Sequence, residues 1–194
     1  MALAPPLLHP SSVPLAVVVM GPSGTGKSTI GPRLAQEMGW RFVEGDDYHP
    51  ASNVRKMAAG APLTDEDRLP WLRRLRTEVI EGVAAEAGSG VVLACSALRR
   101  LYRDLLRADN SGDGGRVIVF FVELVGDAGL VARRIHRRRH AYMPASLLSS
   151  QYASFEPLQL EKDELGMRVS VALEPAEIVR RVAAELRRRR WLHL

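Results

Sequence analysis

Residues 15–29 read Leu-Ala-Val-Val-Val-Met-Gly-Pro-Ser-Gly-Thr-Gly-Lys-Ser-Thr, and this stretch decides the fold. Its first six residues form a continuous apolar run rich in valine, as expected of a strand buried on both faces of a parallel sheet. Gly21-Pro22-Ser23-Gly24-Thr25-Gly26-Lys27-Ser28 then matches G-x-x-x-x-G-K-[ST]. Ile30, Leu34 and Met38 follow at four-residue spacing, which predicts a helix. A strand, a glycine-rich turn and a helix in this order aim backbone N–H groups and the positive end of the helix dipole at phosphate oxygens. Lys27 is placed to reach the β- and γ-phosphates and the Ser28 hydroxyl to hold Mg²⁺. Residues 21–28, with Thr29, therefore predict a site for a purine nucleoside triphosphate with Mg²⁺. Pro32 falls in the second turn of the helix and predicts a slight kink.

Outward from this loop the chain alternates short apolar runs with helical patterns. Arg41–Glu44, Val91–Cys95, Val117–Glu123 and Arg168–Leu173 read as further strands. Leu72, Leu75, Val79 and Val83 mark a long amphipathic helix with Pro70 in its first turn. Leu130, Val131 and Ile135 mark another, and Ile178, Val182 and Leu186 mark the last, entered through Pro175. This alternation predicts an α/β fold, a five-stranded parallel sheet between two helical layers. Residues 1–14 carry four prolines and read as a flexible tail, leaving 15–194 as one domain. Two stretches fit the alternation poorly. Tyr48–Arg68 is polar and carries turn formers, and Arg137–Gln151 is very basic and contains Met143-Pro144; such insertions are where substrate loops and lids sit.

Composition narrows the class. Of 194 residues 46% are hydrophobic and 25% charged, as in a soluble globular chain, and no apolar run approaches the ~18–20 residues of a membrane span. No Lys or Arg precedes the apolar N-terminal stretch, which argues against a secretory leader. The lone Cys95 excludes an intrachain disulfide framework and fits the cytoplasm. The net charge of +5 rests almost wholly on arginine, whose fork suits phosphate and carboxylate. A nucleic-acid-binding module regulated by ATP would interleave rings with its basic residues. Aromatics are only 6%, and the clusters at 133–139 and 187–190 have none between the arginines, so neither nucleic acid nor membrane is expected as a partner.

A GTPase would need Asn-Lys-x-Asp, which is absent, and neither Asp109–Gly112 nor Asp163–Gly166 directly follows a strand. A motor ATPase would show an acid after a later core strand, where this chain has Ser96 and Ala97. A small kinase remains. Its second strand ends Phe42-Val43-Glu44-Gly45-Asp46-Asp47, at the edge of the sheet that faces the ligand crevice. Glu44 and Asp46 stand two apart. One can organise a Mg²⁺ water and the other accept the proton of an attacking hydroxyl.

Gly45-Asp46-Asp47-Tyr48-His49-Pro50, Asn53-Val54-Arg55-Lys56-Met57 and the run Pro62 to Leu72 together resemble gluconokinase of the small P-loop type. So do Cys95 to Asp104 and Leu147-Leu148-Ser149-Ser150-Gln151-Tyr152. The resemblance runs from about Leu15 to the end. It implies an adenylate-kinase- and shikimate-kinase-like fold with substrate-side helices over 48–86, a mobile lid over 139–152, and a homodimer. It implies transfer of the ATP γ-phosphoryl group to the 6-hydroxyl of D-gluconate; another anionic acceptor such as shikimate is the alternative within the class. Carried onto this chain, it makes Lys27, Asp46 and Arg138 catalytic, Asp46 readying the acceptor hydroxyl and Arg138 swinging over the phosphates, with Arg134 touching adenine or phosphate. Asp46, His49, Arg68, Cys95, Ser96, Arg103 and Gln151 become the acceptor site, with Arg103 facing the carboxylate and Arg68 either the carboxylate or the transferring phosphoryl group. Ser28, and Glu44 through water, become the metal site, while Lys56 and Asn53 stay structural. The chain departs from the family lid string His-Phe-Met-Pro, carrying Ala141 where the histidine stands, and has Glu44 where related kinases commonly have aspartate.

Overall fold

The computed structural model describes residues 14–82, 90–107, 117–127, 129–131, 145–189 and 191. Arg134, Arg138 and Ala141, the tail up to residue 13, Val83 and Ile135 lie outside the described residues, as does the part of the expected lid before Ala145.

The apolar run Leu15–Met20 is strand β1, and every one of its residues is buried. Helix α1 (Lys27–Met38) follows the glycine-rich loop and runs through Pro32. Then come β2 (Arg41–Glu44), a 3₁₀ turn at Gly45–Tyr48, α2 (Ala51–Ala58) and α3 (Asp65–Leu75), which passes into a π turn at Arg76–Ile80. Strand β3 (Gly90–Ala94), α4 (Arg100–Arg107), β4 (Ile118–Val125), α5 (Ala145–Ala153), β5 (Gly166–Ser170) and α6 (Pro175–Arg188) complete the described elements.

The five strands lie in the order β2-β3-β1-β4-β5 and every pair is parallel. Because side chains alternate across a strand, the apolar run of β1 serves two cores. Ala16, Val18 and Met20 pack with Trp71, Leu72, Leu75 and Tyr102 on one face. Leu15, Val17 and Val19 pack with Ile30, Leu34, Ile178 and Val182 on the other. Helices thus cover both faces, giving three layers. The chain leaves β1 in one direction for β2 and β3 and in the other for β4 and β5. The crevice at the carboxyl end of β1 lies where the strand order reverses, which is where open α/β sheets bind ligands.

Several boundaries differ from the sequence reading. The helix expected to open at Pro70 starts at Asp65, because Thr64 and Asp67 form a reciprocal capping box and three acids in the first turn favour the positive dipole end. Strand β5 begins at Gly166, paired with Phe121, and ends at Ser170, where its hydroxyl accepts the Ala172 N–H and turns the chain. Strands β3 and β4 are each displaced by one or two residues; the Cys95 N–H still donates to the Val19 carbonyl at 3.2 Å, so the ladder outlasts the strand. Among the described residues no helix is long and apolar enough to cross a membrane.

Candidate active site

The loop after β1 is braced from within. Thr25 is buried and its hydroxyl donates to the Pro22 carbonyl at 2.8 Å. Gly26 enters α1 with φ 104°, a left-handed conformation that a side chain would strain. Lys27 folds back, Nζ donating to the carbonyls of Gly21 (3.0 Å) and Pro22 (3.2 Å). Burial lowers its pKa from the ordinary lysine value, and Asp46, Cys95 and Glu44 act against that shift. A half-buried ammonium lining the pocket is a stronger partner for phosphate oxygens than one in open water.

At the head of α1 Ser28 stands beside the Glu44 carboxylate. Burial raises the Glu44 pKa, with the Ser28 hydrogen bond opposing and the Asp46 charge reinforcing the rise. A hydroxyl and a carboxylate side by side are the hard oxygen donors that Mg²⁺ takes alongside phosphate oxygens and water, so these two residues fit the ion that the loop implies.

The turn after β2 is pinned to the sheet. The Trp71 indole N–H donates to the Gly45 carbonyl at 2.8 Å, and a Cβ at Gly45 would lie 2.5 Å from the Ala94 carbonyl oxygen. This close seat presents Asp46, whose side chain is 71% exposed, to the crevice. His49 stacks on Trp71 with centroids 4.0 Å apart. Asn53 Nδ2 donates to the Asp67 carbonyl (2.8 Å) and faces His49 Nδ1 at 3.3 Å. An amide NH₂ can only donate, so the ring proton sits on Nε2, 3.8 Å from the Asp46 carboxylate. Burial lowers the His49 pKa against the pull of Asp46, with Arg68 adding to the fall, so the imidazole is neutral near pH 7.

These pieces meet in one pocket, lined by Ser23, Lys27, Asp46, His49, Arg68, Ser96 and Gln151, with Met57, Pro62, Leu63, Trp71 and Ser150 around them. The Ser96 carbonyl accepts the Gly21 N–H at 3.2 Å, and Gln151 Oε1 accepts the Ser23 N–H at 2.7 Å. Helix α5 therefore touches the phosphate loop directly. Asn53 and Lys56 brace α2 against α3, Lys56 pairing with Asp67 at 2.5 Å.

Two expected acceptor residues stand elsewhere. Cys95 is buried beneath the pocket, and burial pushes its thiol up to about 12. Arg103, expected to face the substrate carboxylate, is corrected to a framework role: neither it nor Glu164 has any side-chain exposure. Its guanidinium grips Glu164 at 2.5 and 3.1 Å and donates to the carbonyls of Ala97 (3.2 Å) and Glu156 (2.8 Å). Burial acts to raise the Glu164 pKa, but Arg103 and the Gln159 N–H hold it below the ordinary value. Arg103 thereby secures the turn at Ala97, whose φ of 42° is unusual for a residue with a side chain. The sequence reading gave no site role to Trp71, although it stands inside the Pro62–Leu72 string.

A parallel sheet with a phosphate loop at its switch point, opposed by an acid and an arginine in one pocket, defines a P-loop kinase. A family model described as an AAA domain matches residues 17–158. The gluconokinase of Gluconobacter oxydans is 45% identical over 176 residues, covering 89% of this chain and 93% of its own. A probable gluconokinase of Rattus norvegicus is 44% identical over 174 residues, covering 82% and 92%. The crystal structure of a gluconokinase from Sinorhizobium meliloti superposes with a TM-score of 0.74 at 43% identity, covering 91% and 94%. The chain belongs to the gluconokinase family.

Proposed function

We infer that the chain transfers the γ-phosphoryl group of ATP to the 6-hydroxyl of D-gluconate, giving 6-phosphogluconate and ADP. The observation that carries this reading is the shared pocket of Lys27 and Asp46, in a chain whose relatives are gluconokinases. Phosphoryl transfer asks for positioning and charge stabilisation more than for covalent chemistry. The 6-hydroxyl approaches in line with the bond between the γ-phosphorus and the bridging oxygen. Its proton passes to a carboxylate oxygen of Asp46 as the new O–P bond forms, and the bridging oxygen leaves with ADP. Lys27 and the N–H groups of the loop offset the charge on the transferring group. His49 presents its Nε2 proton toward Asp46, and Arg68 receives the acid end of the acceptor.

Ser28, and Glu44 through water, would hold Mg²⁺, which when bound neutralises charge on the β- and γ-oxygens. Arg138 is assigned to close over the phosphates and Arg134 to the nucleotide. A buried free thiol at Cys95 supports a reducing, cytoplasmic setting, and the homodimer is what the sequence resemblance implies. The test is a coupled ADP-release assay on a panel of acids. Turnover with gluconate and none with shikimate is expected; the reverse order would overturn the assignment.

A further inference from the structure

The pocket at the phosphate loop adjoins a second cavity of about 430 Å³. The two share Pro62, Leu63, Arg68 and Ser150, so they lie side by side along one trough with Arg68 on the boundary. The far compartment adds Asp65, Arg99, Tyr102, Ser154 and Glu156, and the reaction derived above uses none of these five.

Charge decides how a linear acceptor lies in this trough. The near end holds Asp46, with Glu44 close to Lys27, and that end must receive the neutral alcohol. Five carbon–carbon bonds put the carboxylate of an extended six-carbon acid about 6 Å from the terminal carbon, so its acid end lies well apart from its alcohol end. The far end offers guanidinium groups. Arg68 and Arg99 flank the buried Tyr102 ring, their central carbons 5.8 and 5.9 Å from its centroid. Asp65 ties this group together, accepting from Arg99 and from the Tyr102 hydroxyl at 2.5 Å. The second acid on Arg99 is held loosely: Glu156 Oε1 lies 3.5 Å from Arg99 Nε, while Glu156 Oε2 accepts the Arg100 N–H at 2.6 Å. A ligand carboxylate can replace Glu156 at Arg99 and leave Glu156 bonded at the start of α4.

We propose that Arg99 is a further specificity-determining residue: it and Arg68 receive the C1 carboxylate of the acceptor in the far compartment, braced by Asp65 and Tyr102. The proposal rests on the gluconate reading. It makes the enzyme select an acid of sufficient length over a neutral polyol, because only a carboxylate at that distance meets both forks.

The experiment measures KM for gluconate, KM for ATP and kcat in the full chain and in Arg99→Gln, with glucitol, the neutral counterpart, as a second acceptor. The expected result is a rise in gluconate KM of about 10–100-fold, as for loss of a charge-assisted hydrogen bond. ATP KM stays within about twofold, and the preference for gluconate over glucitol falls wherever glucitol turnover is measurable. A gluconate KM that does not move, or gluconate and ATP values that move together, overturns the proposal and marks Arg99 as framework only. If Arg99→Gln does not fold, Arg99→Lys carries the same test through a single-point charge: a gluconate KM raised alone supports the proposal and an unmoved one overturns it. A wild-type chain that ignores gluconate defeats the underlying reading; a wild-type chain that uses gluconate, with an unmoved variant KM, defeats only this proposal.

Discussion

The phosphate loop and the acceptor wall face each other across one pocket, yet they are built in opposite ways. The loop is eight consecutive residues whose working groups are mostly backbone N–H, held in shape by Thr25 and by Gly26 at φ 104°. The wall is a set of side chains from the turn after β2, from α3, from the turn after β3 and from α5. A backbone cradle depends on local conformation and a side-chain wall on the elements beneath it. Damage to the two should therefore separate: lesions in the wall or its framework should disturb the acceptor and spare the nucleotide.

Asp46→Asn tests this division with the largest expected effect. Removing the proposed general base should lower kcat by about 10²–10⁴-fold while ATP affinity, measured by calorimetry, stays within about twofold. Loss of ATP binding as well would merge the two regions. Arg103→Ala comes next. It leaves Glu164 charged and unpaired in the interior, so the chain should lose about 3–5 kcal/mol of stability, a fall in melting temperature of about 6–20 °C. Below that transition ATP should still bind, while the gluconate KM rises because the turn at Ser96–Leu98 is no longer held.

Gly45→Ala sharpens the comparison at a single carbon. The added Cβ must push the turn off the Ala94 carbonyl, costing about 1–3 kcal/mol, and kcat should drop with ATP affinity unchanged as Asp46 shifts. Cys95 carries the smallest expected effect. It lies buried beneath the pocket with its thiol pushed up to about 12. The sign is clear: a raised pKa keeps the thiol protonated at pH 8, so iodoacetamide should leave the native chain unlabelled and modify its single cysteine only in urea. Labelling of the folded chain would mean that the floor between cradle and wall is open to water.

Much of the fold was legible because parallel strands buried on two faces are continuous apolar runs; Leu15–Met20 was read to the residue. Strand β5 was displaced because Gly166 looks locally like a turn former, whereas its place in the sheet depends on Phe121, forty-five residues earlier. The start of α3 was missed although its signal was local: Thr64-Asp65-Glu66-Asp67 is a capping box with aspartate in the third helical position. In the site, Asp46 was legible from its position two residues past the end of a strand. The arginines were not: Arg99 and Arg103 stand four residues apart in one basic stretch, and nothing nearby distinguishes them.

By itself the amino-acid sequence determined that residues 21–28 form an anion cradle, since that chemistry needs only consecutive backbone groups between a strand and a helix. Tertiary structure alone decided which arginine belongs to the frame and which to the trough. Arg103 meets Glu164, sixty-one residues away, and is sealed in the interior, while Arg99 meets Asp65 across α3 and stays 37% exposed. Burial and charge pairing are properties of the packed molecule, and they assign different work to side chains of the same chemistry.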